Sequence, residues 1–178
     1  MRSGAHGTAP PARQVEIPLT DREHYVTGVY ALNVIGPDGK PGDWHDVFHW
    51  QEGHERPRAV TLAGGAEIRT TPFYGDLGVY EGREHLERQG LVVPPGVGEV
   101  YVADHMRAVL DLVYRSLTRW GRVRNLVGAT TDWFETYEDG VTVLEYAARM
   151  TGHFPAPAQT QLRRWLDGEH AGLREVYG

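Results

Sequence analysis

Two histidines four residues apart, His45 and His49, are the residues of this chain whose types and spacing come nearest to a metal site. They lie in the run GDWHDVFHW, residues 42–50, where Asp46 follows the first histidine. In a helix, residues i and i+4 share a face, so the two imidazoles could bind one zinc ion, as in metalloproteases that carry a glutamate between the histidines. Asp46 is one methylene shorter than that general base. The spacing leaves a metal-dependent hydrolase or transferase open, with His45 and His49 as ligands.

The same run also has the character of a β-strand, because it is short, rich in aromatic residues and bounded by glycines. In a strand the two histidines would lie about 13 Å apart, at ~3.3 Å per residue, which is too far to bind one ion. Trp44, Phe48 and Trp50 would then enter the core. The histidines would face solvent or a groove, or would join Asp43 in contacting a partner or ligand. We favour the extended conformation, and therefore binding over catalysis.

A second candidate group opens the clearest helical pattern, 105–120. Asp104 is a good N-cap for it. His105 and Arg107 lie off the apolar stripe of this helix, so we predict that they face a groove or a partner. If the chain is an enzyme, the candidate catalytic residues are His45, Asp43 and His105, since an imidazole with a neighbouring carboxylate can act as a general base. The sequence contains no Gly-x-Ser-x-Gly, P-loop or dinucleotide fingerprint.

The elements that must position these residues divide into a β-rich first half and a helical second half. Residues 25–35 are rich in β-branched and aromatic side chains and are predicted to form a hairpin with 44–50. Further strands are predicted at 58–63, 66–71 and 98–103. Helices are predicted at 81–89, 105–120, 139–150 and 158–176. This order indicates an α+β fold, with an N-terminal antiparallel β-sheet and C-terminal helices packed on it.

Length and composition fit one domain. The 178 residues are predicted to form a flexible arm, 1–13, and a single domain, 14–178. Without cysteine, the chain has no disulfide, thiolate metal site or cysteine nucleophile. No signal-peptide pattern and no run near the ~20 apolar residues needed to cross a bilayer is present, so we expect a cytoplasmic protein with no membrane partner. A formal net charge of −6 makes nucleic acid an unfavourable partner.

The order of several motifs resembles a family of small bacterial proteins. ALN at 31–33, GDWH at 42–45 and the closing Trp50 are similar to an "ALN…GDWH…W" hairpin in that family. VADHMRAVLDL at 102–112 is similar to its "VANHIRAxLDLL" helix, with Asp104 in place of the family's asparagine, and TDWF at 131–134 is similar to an "NDF" step. The resemblance covers 25–167. Genes of this family look like companions of toxin genes, including ones similar to ADP-ribosyltransferases, which implies an antitoxin or accessory role.

Two hypotheses of different classes follow. The first is a protein-binding, antitoxin-like or regulatory accessory protein that neutralises a partner, with a toxin encoded nearby as the candidate. Its predicted binding residues are Asn33, Asp43, Trp44, His45, His49, Asp104, His105 and Arg107. The second is the metal-dependent hydrolase or transferase, which would use Asp43, His45, His49 and His105. The first hypothesis requires no cofactor.

Overall fold

The computed structural model describes residues 17–39, 60–88, 92–93 and 95–178. Its elements in chain order are α1 (Gly28–Leu32), α2 (Thr71–Tyr74), β1 (Val79–Glu81), α3 (Arg83–Arg88), β2 (Tyr101–Ala103), α4 (His105–Trp120), α5 (Ala129–Asp132), α6 (Tyr137–Ala148) and α7 (Ala156–Tyr177). A 3₁₀ turn, Thr151–His153, joins the last two helices. The predicted arm, 1–13, and the predicted strand 44–50 lie outside the described residues.

The sheet in the described part of the chain is small. β1 and β2 pair antiparallel, with Val79 opposite Ala103 and Glu81 opposite Tyr101. Val26 adds two isolated bridges, one to Leu62 and one to Val102. A mixed α+β composition is therefore confirmed, and helices dominate the described residues. The N-terminal placement of the sheet is not confirmed, since β1 and β2 lie in the middle of the chain.

The predicted strand 25–35 is wrong beyond its first residues. Val26 and Thr27 do make strand-like contacts, since their backbone N–H groups donate to the carbonyls of Tyr101 and Thr61, both at 3.0 Å. Gly28 then adopts φ +64°, a left-handed conformation that ends the extended run, and α1 follows. The β-branched and aromatic composition of this segment reflects burial against α4, because α1 packs on that helix.

The predicted strand 66–71 is also wrong. Residues 66–70 lie in turn and irregular backbone, and α2 begins at Thr71 with Pro72 in its first turn. Proline suits that position because its missing N–H would have no partner inside the helix.

The long helices agree with their sequence patterns. α4 has the predicted bounds, because the Asp104 side chain accepts a hydrogen bond from the Arg107 N–H at 2.7 Å and Gly121 ends the helix with φ +66°. α6 begins two residues before the predicted 139, where Thr136 caps it through the Asp139 N–H. α7 extends the predicted 158–176 at both ends.

The helices of the second half enclose much of the core. α6 and α7 pack closely at Gly140, where an added Cβ would lie 2.7 Å from Leu173 Cδ2 and 3.0 Å from the Thr130 carbonyl oxygen. Buried apolar residues form one cluster that extends from Ile17 to Leu173. Every helix of the described residues is too short or too polar to cross a membrane.

Candidate functional site

A buried polar cluster surrounds Arg107 on α4. Arg107 and Asp111 have no exposed side-chain surface, and Nε of the arginine lies 3.5 Å from Oδ1 of the aspartate. Asp111 also accepts hydrogen bonds from the hydroxyls of Tyr25 at 3.0 Å, Thr27 at 2.6 Å and Thr70. The carboxylate is therefore held by one cation and three hydroxyl groups, all contributed from inside the fold.

The guanidinium is held by hydrogen bonds at two of its three nitrogens. Its Nη1 donates to the carbonyls of Gly75 at 3.0 Å and Leu77 at 2.7 Å, and Nε donates to the Tyr25 hydroxyl at 2.9 Å. The rings of Tyr25 and Tyr74 each lie with their centroids 5.3 Å from its central carbon. Nη2 has no hydrogen-bond acceptor among the described residues. Through its hydrogen bonds to Gly75 and Leu77, Arg107 thus connects the loop after α2 to α4.

Burial dominates the electrostatics of this cluster. It raises the pKa of Asp111, and the Arg107 guanidinium and the hydroxyl donors offset only part of that effect. Burial likewise raises the pKa of Tyr25 and Tyr74. Because the groups are closed to solvent, the cluster has the character of a structural core rather than a substrate site.

Two predicted binding residues are therefore corrected. Arg107, expected to face a groove or partner, is fully buried, where Asp111, the Tyr25 hydroxyl and two backbone carbonyls supply partners for its Nε and Nη1. Asn33 is also buried, and its side-chain amide donates to the Val29 carbonyl at 2.7 Å, across the end of α1. Neither side chain is available to a partner in this conformation.

The start of α4 does meet the surface. Asp104 caps the helix, and its backbone N–H donates to the Gly78 carbonyl at 2.6 Å. Gly78, with φ +71°, makes room for it, since an added Cβ would lie 2.6 Å from Asp104 Oδ1. Nε2 of His105 lies 2.8 Å from the Val34 carbonyl oxygen. Both side chains are half-buried, and His105 and Asp104 are adjacent without a hydrogen bond between them among those described.

These two residues border a cleft of about 340 Å³, which we call the acidic cleft. Its described lining is Gly36, Pro37, Asp38, Asp104, His105, Met106, Trp133, Phe134, Glu135, Asp139 and Thr142. The lining holds four carboxyl groups and two large aromatic side chains. Its described part contains no lysine or arginine. Burial raises the pKa of Asp104, and the charge of Asp38 adds to that effect.

Asp43, Trp44, His45 and His49 lie outside the described residues, so the structure does not bring them together with His105 or separate them from it. Within the described ranges, no three His, Asp or Glu side chains are grouped so that they could hold a metal ion. The metal hypothesis therefore depends on residues 43–49 alone or with a described neighbour.

No family model, curated protein or solved structure matches the chain. The likeness to the "ALN…GDWH…W" proteins remains a prediction.

Several important residues were absent from the predicted site. Asp111 could have been found, because Arg107 and Asp111 are spaced i and i+4 on a strongly predicted helix. Glu169 could have been found as a carboxylate inside the apolar stripe of α7, where it is buried and accepts the N–H groups of Gly128 at 2.7 Å and Thr130 at 2.9 Å. No local sequence pattern marked Asp38, Glu135 or Asp139, since only the fold brings them to Asp104.

Proposed function

We propose that this chain is a protein-binding accessory protein, antitoxin-like in action, that receives a basic segment of its partner in the acidic cleft. The observation that carries the proposal is the composition of that cleft, with four carboxyl groups beside Trp133 and Phe134 and neither lysine nor arginine in its described lining. A lysine or arginine side chain suits such a surface, because carboxylates attract its charge and aromatic faces attract the cation as well.

The position of the cleft also favours binding over catalysis. Asp104 is engaged as a helix cap and His105 contacts a backbone carbonyl, so both side chains already have structural partners. Because Nε2 of His105 faces a carbonyl oxygen, that nitrogen carries the proton and only Nδ1 could act as a base. No hydrogen bond among the described residues joins Nδ1 to a carboxylate or to a nucleophile that it could activate. A surface of fixed charge, by contrast, is what a partner-recognition site requires.

The proposed occupant fits the chain's overall charge. With a formal net charge of −6, the protein attracts basic proteins over distance, and the cleft gives that attraction a local target. The family resemblance supplies the candidate partner, a toxin encoded nearby.

Co-expression with the product of the adjacent gene tests the proposal. We expect a complex that survives purification and weakens as ionic strength rises. Glu135→Lys should weaken it by about tenfold or more, because it places a cation where the partner's cation binds. Glu145→Lys is the matched control, since Glu145 is exposed on α6 and does not line the cleft. A soluble neighbouring product that fails to co-purify, or a complex equally tolerant of both changes, would overturn the proposal.

The metal-dependent alternative is separated by elemental analysis of the purified protein. Stoichiometric zinc or manganese that disappears in His45→Ala would favour the hydrolase or transferase. Protein without such a metal, together with the complex described above, would favour binding.

A further inference from the structure

A second concave surface, the α7 groove, lies between α7 and the segment that follows α4. It encloses about 340 Å³ and is lined by Val123, Val127, Gly128, Thr131, Gln161, Arg164, Trp165, Gly168, Glu169 and Gly172. Its one carboxylate, Glu169, is turned inward by hydrogen bonds to Gly128 and Thr130. Val127, on its rim, is 90% exposed. The groove is therefore an apolar surface that the described chain leaves uncovered.

The α7 side of the groove continues along the helix to its end. The lining residues from Gln161 to Gly172 recur every three or four positions, so they share one face of α7. Continuing the same spacing places Glu175 and Val176 on that face. Val176 is 61% exposed, and Arg164 and Glu175 are exposed as well. Along this face of α7 lie, in order, the cation of Arg164, a stretch without side chains that we call the bare middle, the anion of Glu175 and the exposed Val176.

Two glycines form the bare middle, and packing within the chain does not require them. A Cβ added at Gly168 would meet nothing within 4 Å, and one added at Gly172 would only touch Thr131 Cγ2 at 3.6 Å. Glycine inside a helix costs about 1 kcal/mol relative to alanine. At Gly140, by contrast, internal packing does exclude a side chain. Close approach of another backbone would explain why this face lacks side chains.

The geometry points to a second copy of this chain as the occupant, in a two-fold dimer whose two α7 helices run antiparallel. With the two-fold axis beside residue 170, Gly168 lies opposite Gly172 of the second copy. Val176 of the second copy then lies opposite Arg164, at the mouth of the groove between Val127 and Trp165. Glu175 of the second copy lies within one helical position of Arg164, so each interface would contain two Arg–Glu pairs.

Charge and symmetry both favour a second copy over an unrelated protein. The face is self-complementary, because the antiparallel arrangement brings its cation to its anion and its exposed valine to its apolar groove. A two-fold interface requires this property, since the same patch serves both subunits. The α7 face shares no lining residue with the acidic cleft, so this interface is independent of the proposed function.

Sedimentation velocity on the full chain, over a concentration series, tests the dimer. The wild type should dimerise, and Arg164→Glu and Glu175→Arg should each raise the dissociation constant by about tenfold or more, because each places like charges together. The double variant Arg164→Glu/Glu175→Arg should restore the dimer. Arg174→Glu is the matched control, since it makes the same change on the side of α7 away from the groove, and it should leave the dissociation constant unchanged.

Circular dichroism confirms the fold of each variant. If a charge reversal unfolds the chain, Gly168→Gln replaces it. In a single subunit the new side chain enters open space, whereas in the dimer it would lie where the two α7 helices meet, so this variant should weaken dimerisation without unfolding the chain. A wild type that stays monomeric up to on the order of 1 mM, a dimer indifferent to the single reversals, or a double variant that stays monomeric would overturn the inference.

Discussion

The Arg107 guanidinium and the Asp111 carboxylate lie one turn apart on α4 and form an ion pair that is closed to solvent, with Nε 3.5 Å from Oδ1. Each also binds a separate part of the chain. Arg107 holds the carbonyls of Gly75 and Leu77, and Asp111 holds the hydroxyls of Tyr25 and Thr27. This pair therefore connects α4 to the two segments that pack beside it.

Asp111→Ala should destabilise the fold by about 3–5 kcal/mol, the range for removing one partner of a buried ion pair. The loss leaves the Arg107 charge buried without its carboxylate and three hydroxyls without their acceptor. Urea denaturation, followed by tryptophan fluorescence, measures the change. The matched control is Glu84→Ala, which breaks an exposed pair with Arg88 and should change stability by less than about 1 kcal/mol. Equal effects at the two sites would contradict this role for Asp111.

Glu169→Gln should cost about 1–3 kcal/mol, although it changes a single atom of the side chain. Both carboxylate oxygens accept hydrogen bonds, one from Gly128 and the other from the N–H and hydroxyl of Thr130. An amide group would place a donor against a backbone donor at one of them. Thermal unfolding compares this variant with Asp167→Asn, an exposed change on the same helix that should have almost no effect. A stable Glu169→Gln protein would show that the N–H groups at the start of α5 do not need the charge.

The same substitution should have opposite signs at two glycines. Gly140→Ala should destabilise by about 1–3 kcal/mol, because the new methyl group would lie 2.7 Å from Leu173 Cδ2 and 3.0 Å from the Thr130 carbonyl oxygen. Gly168→Ala, measured in dilute solution where the chain is monomeric, should stabilise by about 0.5–1 kcal/mol, since its methyl group enters open space. Chemical denaturation of both variants decides the matter, and a loss of stability at Gly168 would show an intrachain packing role for that glycine.

Local signals explain what the sequence could predict. α4 was located at both ends because a capping aspartate and a terminating glycine enclose a regular apolar stripe. Such signals lie within a few residues of one another, and no distant segment is needed to interpret them. The strand predicted over residues 28–32 was wrong because its conformation depends on a distant segment of the chain. Their composition suits a buried strand, but Gly28 takes a positive φ and the segment packs as a helix on α4.

The candidate site depends on distant contacts, and most of it could not be predicted. Arg107 was expected at the surface because it lies off the apolar stripe of α4. Its burial requires Tyr25, which is 82 positions away in the chain, and the carbonyl groups after α2. The acidic cleft likewise joins Asp38 to Glu135 through the fold. Of the predicted site residues that the structure describes, Asp104 and His105, at a predicted helix start, are the two that line it.

Asp104 should make the stability of the fold depend on pH with a definite sign. Burial raises its pKa above the ordinary 3.8, so the native state binds the proton more tightly than the unfolded chain does. Its contribution to stability is therefore fully present below about pH 3.8 and is lost as the pH rises through the raised pKa.

Asp104→Asn isolates this contribution, because asparagine is an equally good N-cap and does not titrate. The free energy of unfolding of the wild type, relative to that of the variant, should fall as the pH is raised from about 3 to 7. Urea titrations at a series of pH values measure this difference. If it rises instead, the Arg107 N–H and the His105 imidazole favour the ionised carboxylate more strongly than burial disfavours it, and the pKa of Asp104 in the folded protein lies below that in the unfolded chain.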